Sequence, residues 1–190
     1  MSEAEGLGAR VAALEEELGR LTDLQAIQDV LVRYSRALDW LDDAMLETVF
    51  YDDADIDYGF FRGNGKDFKK ALMELEHGIG RRWHFTSQLE IDLNGDSADV
   101  ESYNLSLALP EVEPSDGGGY SVFFGFYKDR LVKRGGKWGI IARKHIQVSG
   151  APLAELAMEG DMGLLNQIGL TSPSHPDYRR LTNAQPLDDS

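Results

Sequence analysis

A histidine beside a carboxylate can abstract a proton from carbon: the carboxylate fixes one ring nitrogen, and the other is left to take the proton. Asp39 and His84 are the candidates for such a pair in this chain of 190 residues. Asp39 lies one turn beyond Ser35, on the flank of an apolar helical stripe and close to a helix C-terminus. The partial negative charge there disfavours an unpaired carboxylate, so Asp39 calls for a cationic or hydrogen-bond-donating partner. On spacing alone a plainer alternative stands beside this one, with Asp39 in the turn into the next helix and His84 a satisfied core histidine. Tyr34, Tyr58 and Tyr103 extend the set, each as a core aromatic or as a pocket phenol. A pocket phenol can polarise a carbonyl, donate to a leaving hydroxyl or, if ionised, act as a base. Tyr103 is the most attractive of the three. Its neighbour Asn104 points the opposite way at regular pleating, so without a bulge only one of them faces a cavity. Near the end of the strand-rich region Arg143, His145 and Gln147 share a face. If that face is concave, His145 orients substrate or acts as an acid and Arg143 holds developing oxygen charge; otherwise all three are solvated.

Other chemistries find less support. His77, His84, His145 and His175 show neither HxxxH nor HxH spacing and no carboxylates in ligand register, so no metal site is expected. No glycine-rich fingerprint follows a strand, and Gly117-Gly118-Gly119 reads as a flexible hairpin loop, so no nucleotide cofactor is expected. The absence of cysteine removes thiol nucleophiles and disulfides and agrees with a reducing compartment. A formal charge of −14 opposes nucleic-acid binding. Met1 to Arg10 carry no basic segment followed by an apolar run, and no stretch nears ~18 apolar residues, so the expectation is a cytoplasmic protein that does not enter membranes. With 42% hydrophobic and 27% charged residues, the chain has an ordinary globular balance.

The elements that must position these groups follow from periodicity. Leu7, Val11, Leu14, Leu18 and Leu21 recur at alternating spacings of four and three, a narrow helical seam in search of a partner. At Thr22 the register changes, and Thr22-Asp23-Leu24-Gln25 reads as a capping box opening a second helix. That helix carries Leu24, Ile27, Leu31, Tyr34 and Leu38 inward. A short third helix begins at Asp42 or Asp43, followed by one strand with Ile56, Tyr58 and Phe60 alternating, a turn at 62–65, and a helix over 66–78 with Phe68, Leu72 and Leu75 inward. Four β-rich runs, 82–93, 97–109, 120–133 and 137–149, then form an antiparallel meander. The order predicts an α+β fold with helices on one face of a curved sheet. Residues 1–21 form an N-terminal helix and possible oligomer contact, 22–150 the domain, and 151–190 an extension or lid with a short helix from Leu153 to Met158.

The run Ala26-Ile27-Gln28-Asp29 through Tyr34, Asp39 and Phe50, the step Asp52-Asp53-Ala54, the strand from Trp83 to Leu89 and the late Gly136-Lys137-Trp138 together resemble the SnoaL-like proteins of the NTF2 superfamily. The resemblance covers about residues 20–150 and implies an NTF2-like (cystatin-like) cone with a curved antiparallel sheet. It is strongest to the cofactor-independent lyases of that superfamily: scytalone dehydratase, bile-acid dehydratase and hexachlorocyclohexane dehydrochlorinase. It carries an Asp–His dyad onto Asp39 and His84, a pocket tyrosine onto Tyr34 and, more loosely, a second onto Tyr58. Gln147 stands where the bile-acid enzyme has an arginine, and about Ser106 where it has a pocket aspartate, so the dyad is kept while the substrate differs. The resemblance thus implies a lyase that needs no cofactor and removes water or formaldehyde from a hydrophobic, hydroxylated, aromatic or polycyclic molecule, and the apolar N-terminal seam adds the expectation of a dimer or trimer. Catalysis falls to Asp39, His84 and Tyr103, substrate binding to Tyr34, Tyr58, Asn104, Arg143 and His145. An isomerase, a ligand carrier and a small subunit of the ring-hydroxylating dioxygenase type are the alternatives.

Overall fold

The computed structural model describes residues 3–109, 121–153, 160–166, 168–181 and 184–187. Helix α1 (Glu3–Trp40) is followed by a one-turn α2 (Asp43–Leu46), strands β1 (Phe50–Asp57) and β2 (Arg62–Asn64), helix α3 (Gly65–His77), and four long strands, β3 (Arg81–Asn94), β4 (Ser97–Leu109), β5 (Ser121–Arg134) and β6 (Lys137–Pro152). A short 3₁₀ turn spans Gly160–Leu164. The loop 110–119 and most of the expected helix from Leu153 to Met158 lie outside the described residues.

The opening segment is one helix rather than two. The side chains that spell a capping box are engaged elsewhere: Thr22 Oγ1 donates back to the Leu18 carbonyl at 2.8 Å, Gln25 reaches Asp29, and Asp23 accepts from Trp138 Nε1 at 2.8 Å and Lys133 Nζ at 2.9 Å. A threonine bonded to the carbonyl four residues back leaves the helix uninterrupted. Exposure is what changes along α1. Leu7, Val11, Leu14, Leu18 and Leu21 are 45–68% exposed, whereas Ile27, Leu31, Tyr34 and Leu38 are buried against the sheet. The helix closes on Leu41 at φ 53, with Asp42 N donating to Ala37 O and Leu41 N to Leu38 O, the two bonds of a Schellman end. Asp39 is thereby fixed in the last turn. Asp42 then caps α2 by accepting from Met45 N at 3.0 Å.

The sheet order is β2-β1-β6-β5-β4-β3. The four long strands form the expected meander, and the β5–β6 hairpin turns on Gly135 and Gly136 at φ 56 and 79, both left-handed as a type I′ turn requires. The sheet is mixed, not purely antiparallel, because β1 runs parallel to β6. Residues 62–64, expected as a turn, form a short antiparallel edge strand on β1, and Leu75, expected inward on α3, is exposed.

Two bulges decide which side chains face the helices. At Gln88, φ 51, the β3–β4 register slips, so Arg82, His84 and Thr86 point inward before it and Leu89, Ile91 and Leu93 after it. Regular pleating would have sent Glu90 and Asp92 inward instead. A second slip in β6, between the pairs Arg130–Ala142 and Leu131–Ile140, keeps both Ile140 and Arg143 on the inner face. The core fills the space between that face, α1 and α3 with Ile27, Leu31, Tyr34, Phe50, Phe68, Leu72, Tyr127, Leu131 and Ile140.

Candidate active site

At the open end of this concave face lies a cavity of about 370 Å³, bounded by Tyr58, Leu72, Glu76, Ile79, His84, Asn104, Ser106, Leu107, Phe123, His145 and Gln147. Its walls are mainly apolar with a few converging polar groups, the usual make-up of a small-molecule site. A larger open depression of about 680 Å³ lies on the opposite sheet face, among Asp55, Asp57, Asp99, Lys128, Arg130 and Lys144. Its charged, solvated walls hold neither His84 nor Asp39.

The Schellman end of α1 and the first half of β3 bring Asp39 and His84 together. His84 Nδ1 lies 2.9 Å from Asp39 Oδ1, and both side chains are largely buried. A carboxylate can only accept, so Nδ1 is the donor, and in the neutral ring Nε2 has the lone pair. Nε2 lies 3.6 Å from Oε1 of Glu76, another residue of the cavity wall. Thr171 donates to the backbone carbonyl of Asp39, while Arg36 holds Arg179 O and Tyr178 bonds Asp42. Residues 171–179 therefore run back over the end of α1 that carries the dyad.

Behind the cavity three phenols form a chain. Tyr34 OH is 3.0 Å from Tyr58 OH, which is 2.8 Å from Tyr127 OH. Burial pushes all three above the ordinary tyrosine value, a direction that favours the protonated phenol as a hydrogen-bond donor. Tyr58 lines the cavity and its ring stacks on His145, centroids 4.5 Å apart. Burial, followed by the Arg143 charge, holds His145 below the usual histidine range. Asn104 is buried at the wall, and its Oδ1 has no hydrogen-bond partner among the described residues. Gly125 makes room for this arrangement. A Cβ there would meet Ile146 O, lie 2.9 Å from Asn104 Oδ1 and 3.3 Å from His145 Nε2.

Three expected site residues stand elsewhere. Tyr103 is 46% exposed on the opposite face of β4, beside Phe126, since the pleat that turns Asn104 inward turns Tyr103 outward. Tyr34 is wholly buried behind Tyr58 rather than in the cavity wall. Arg143 is not free to meet substrate oxygen. It forms a bidentate pair with Asp129 at 2.8 and 2.7 Å, both side chains fully buried, between the rings of Tyr34 and Tyr127 at 4.2 and 4.1 Å. Burial opposes its charge, but Asp129 prevails and raises it above the ordinary guanidinium value. Glu76 escaped the sequence reading. The signal was its place on the inward stripe of α3, one turn beyond Leu72.

Among the described residues no three histidine or acidic side chains gather to hold a metal ion, and no helix is long and apolar enough to cross a membrane.

A family model of the SnoaL-like domain matches residues 19–144. No curated protein matches the chain. Among solved structures the chain is similar to hexachlorocyclohexane dehydrochlorinase LinA-type3 from Novosphingobium barchaimii, with TM-score 0.65 and 19% identity over 74% of this chain and 96% of that one. A scytalone dehydratase-like protein of Novosphingobium aromaticivorans gives TM-score 0.63 and 21% identity over 82% and 96%. A Nostoc punctiforme protein of unknown function with a cystatin-like fold gives 0.55 and 21% over 66% and 91%. At these identities the likeness is one of fold, an α+β NTF2-like cone.

Proposed function

The chain belongs to the SnoaL-like domain family, and from that premise we propose that it is a lyase acting without a cofactor on a hydrophobic, hydroxylated, aromatic or polycyclic small molecule. The reading rests on one observation, the 2.9 Å bond between Asp39 and His84 at the wall of an apolar cavity. His84 Nε2 takes a proton from carbon, and Asp39 orients the ring and stabilises the imidazolium. In water loss the C–H electrons form the new double bond as the leaving oxygen departs; in formaldehyde loss His84 takes the hydroxymethyl O–H proton instead, the O–H pair becomes the formaldehyde C=O, and the C–C pair stays on the substrate carbon, which takes up the proton. Asn104, with an unclaimed acceptor oxygen, and His145 orient the substrate hydroxyl; the aromatic and aliphatic walls supply the affinity. The dehydrochlorinase and dehydratase likenesses in fold agree with elimination chemistry.

The test is incubation of the wild type and His84→Gln, with nothing added, against a panel of hydroxylated aromatic and polycyclic compounds, following product mass. Loss of water or formaldehyde with the wild type, and not with the variant, is expected. Turnover undiminished in the variant, or products of unchanged mass, contradicts the proposal.

The partner proposed for the exposed α1 seam is a second copy of the chain. In a parallel two-stranded coil its apolar residues take the a and d positions, and Arg10 at g of one copy meets Glu15 at e of the other.

A further inference from the structure

We propose that Glu76 is a second catalytic residue, the acid that protonates the leaving oxygen and then recovers its proton from His84. The inference deepens the elimination reading and rests on it.

Glu76 is the penultimate residue of α3 and only 4% exposed, on the buried stripe with Phe68, Leu72 and Met73. A carboxylate in that position calls for compensation, and Arg82 supplies part of it through a buried ion pair. Arg82 Nε pairs with Glu76 Oε2 at 3.3 Å by charge alone, and neither atom has a hydrogen-bond partner among the described residues. The two amino groups of Arg82 go to the carbonyls of Ile79 and Gly80 and to Thr171 Oγ1. A glutamate kept only to pair with Arg82 would face it squarely. Glu76 instead turns Oε1 toward His84 Nε2, at 3.6 Å, with the cavity between helix and sheet open to both. The imidazole thus has Asp39 on one nitrogen and Glu76 opposite the other. The groups facing Glu76 are His84 and Arg82 from β3, Asp39 from α1 and His77 from its own helix. Burial outweighs the pull of His84 and Arg82 and raises the carboxyl above the usual glutamate range, and the negative end of α3 acts in the same direction. The shift is toward the neutral acid.

The proton count closes. His84 Nε2 takes the proton from carbon; the C–H pair becomes the π bond; the C–O bond breaks with its pair on oxygen; and Glu76 protonates that oxygen, which leaves as water. Imidazolium and carboxylate then stand within 3.6 Å, and proton return from Nε2 to Oε1 resets both groups.

Glu76→Gln keeps the shape and removes the proton. Two readouts separate this inference from the elimination reading. In the ligand-free protein, carbon NMR of the Glu76 carboxyl and nitrogen NMR of His84 Nε2 are expected to show one shared inflection, above the ordinary glutamate range, that vanishes from His84 in Glu76→Gln. A Glu76 titration in the ordinary range, with no trace at His84, overturns the proposal whether or not a substrate is known, and even if the variant fails to fold. On any compound the wild type converts, Glu76→Gln is expected to lower kcat by roughly 10²–10⁴-fold with KM nearly unchanged and to abolish the limb of the pH profile set by the acid. Undiminished kcat overturns the role of Glu76 and leaves His84 in place. A wild type inactive on the whole panel counts against the elimination reading, and the NMR result still decides whether the two groups share a proton.

Discussion

At the scale of single residues, two histidines of one cavity differ in what surrounds them. His84 is held by a carboxylate and offers its second nitrogen to the cavity, whereas His145 stacks on Tyr58 and lies against Tyr127 with a buried cation nearby. The depressed value of His145 has a consequence for stability. Between its folded value and the ordinary 6.5, the unfolded chain binds the proton more tightly, so stability is complete above about pH 6.5 and falls as pH drops through that window. His145→Gln is expected to lose less stability on acidification than the wild type. Thermal melts from roughly pH 7.5 down to pH 5 check this; a gap between the two proteins that stays constant with pH contradicts it. The dyad was legible only through the order of motifs along the chain, since lone Asp and His side chains carry little signal of their own. Glu76 was hidden because charged residues on an amphipathic helix are read as its outer face, and only the packed position of α3 shows this one turned inward.

Among the elements, α1 does two jobs in one helix of about 57 Å at 1.5 Å per residue. Its second half is a core helix that ends by placing Asp39, and its first half leaves five large apolar side chains in water. Burying one such side chain is worth about 1.5–3 kcal/mol, which is the driving force for the proposed pairing of two copies. Leu14→Glu is therefore expected to shift the protein to monomer in sedimentation experiments without unfolding the domain. An unchanged oligomer mass removes the seam from the interface. The helix break expected at Thr22 was misread for a physical reason: a capping box is a local pattern, and the partners that claim Asp23, Lys133 and Trp138, lie more than a hundred residues away. The four long strands were legible nearly to the residue because alternation and turn glycines are local. Their bulges were not, since a bulge at Gln88 or in β6 is settled by which pleat buries Leu89, Ile91 and Arg143.

Over the whole molecule, the parallel pairing of β1 with β6 extends the sheet and carries Tyr58 to the Tyr127–His145 side of the cavity. Hairpin signals cannot foretell a pairing between the first and last strands. Behind the cavity the Arg143–Asp129 pair braces the tyrosine chain, which explains why a cation on the concave face does not serve the substrate. Removing one partner of a fully buried pair leaves an uncompensated charge. Asp129→Asn is accordingly expected to cost about 3–5 kcal/mol in urea unfolding, and a loss below about 1 kcal/mol contradicts this bracing role. The account as a whole turns on Asp39 and His84 acting as one unit. A double-mutant cycle of Asp39→Asn and His84→Gln, read as kcat/KM on a compound the wild type converts, tests it most directly. Each single variant is predicted to lose roughly 10²–10⁴-fold, with the double variant no worse than the poorer single. Losses that multiply, or an Asp39→Asn enzyme as fast as the wild type, would mean that the two side chains do not work as a pair.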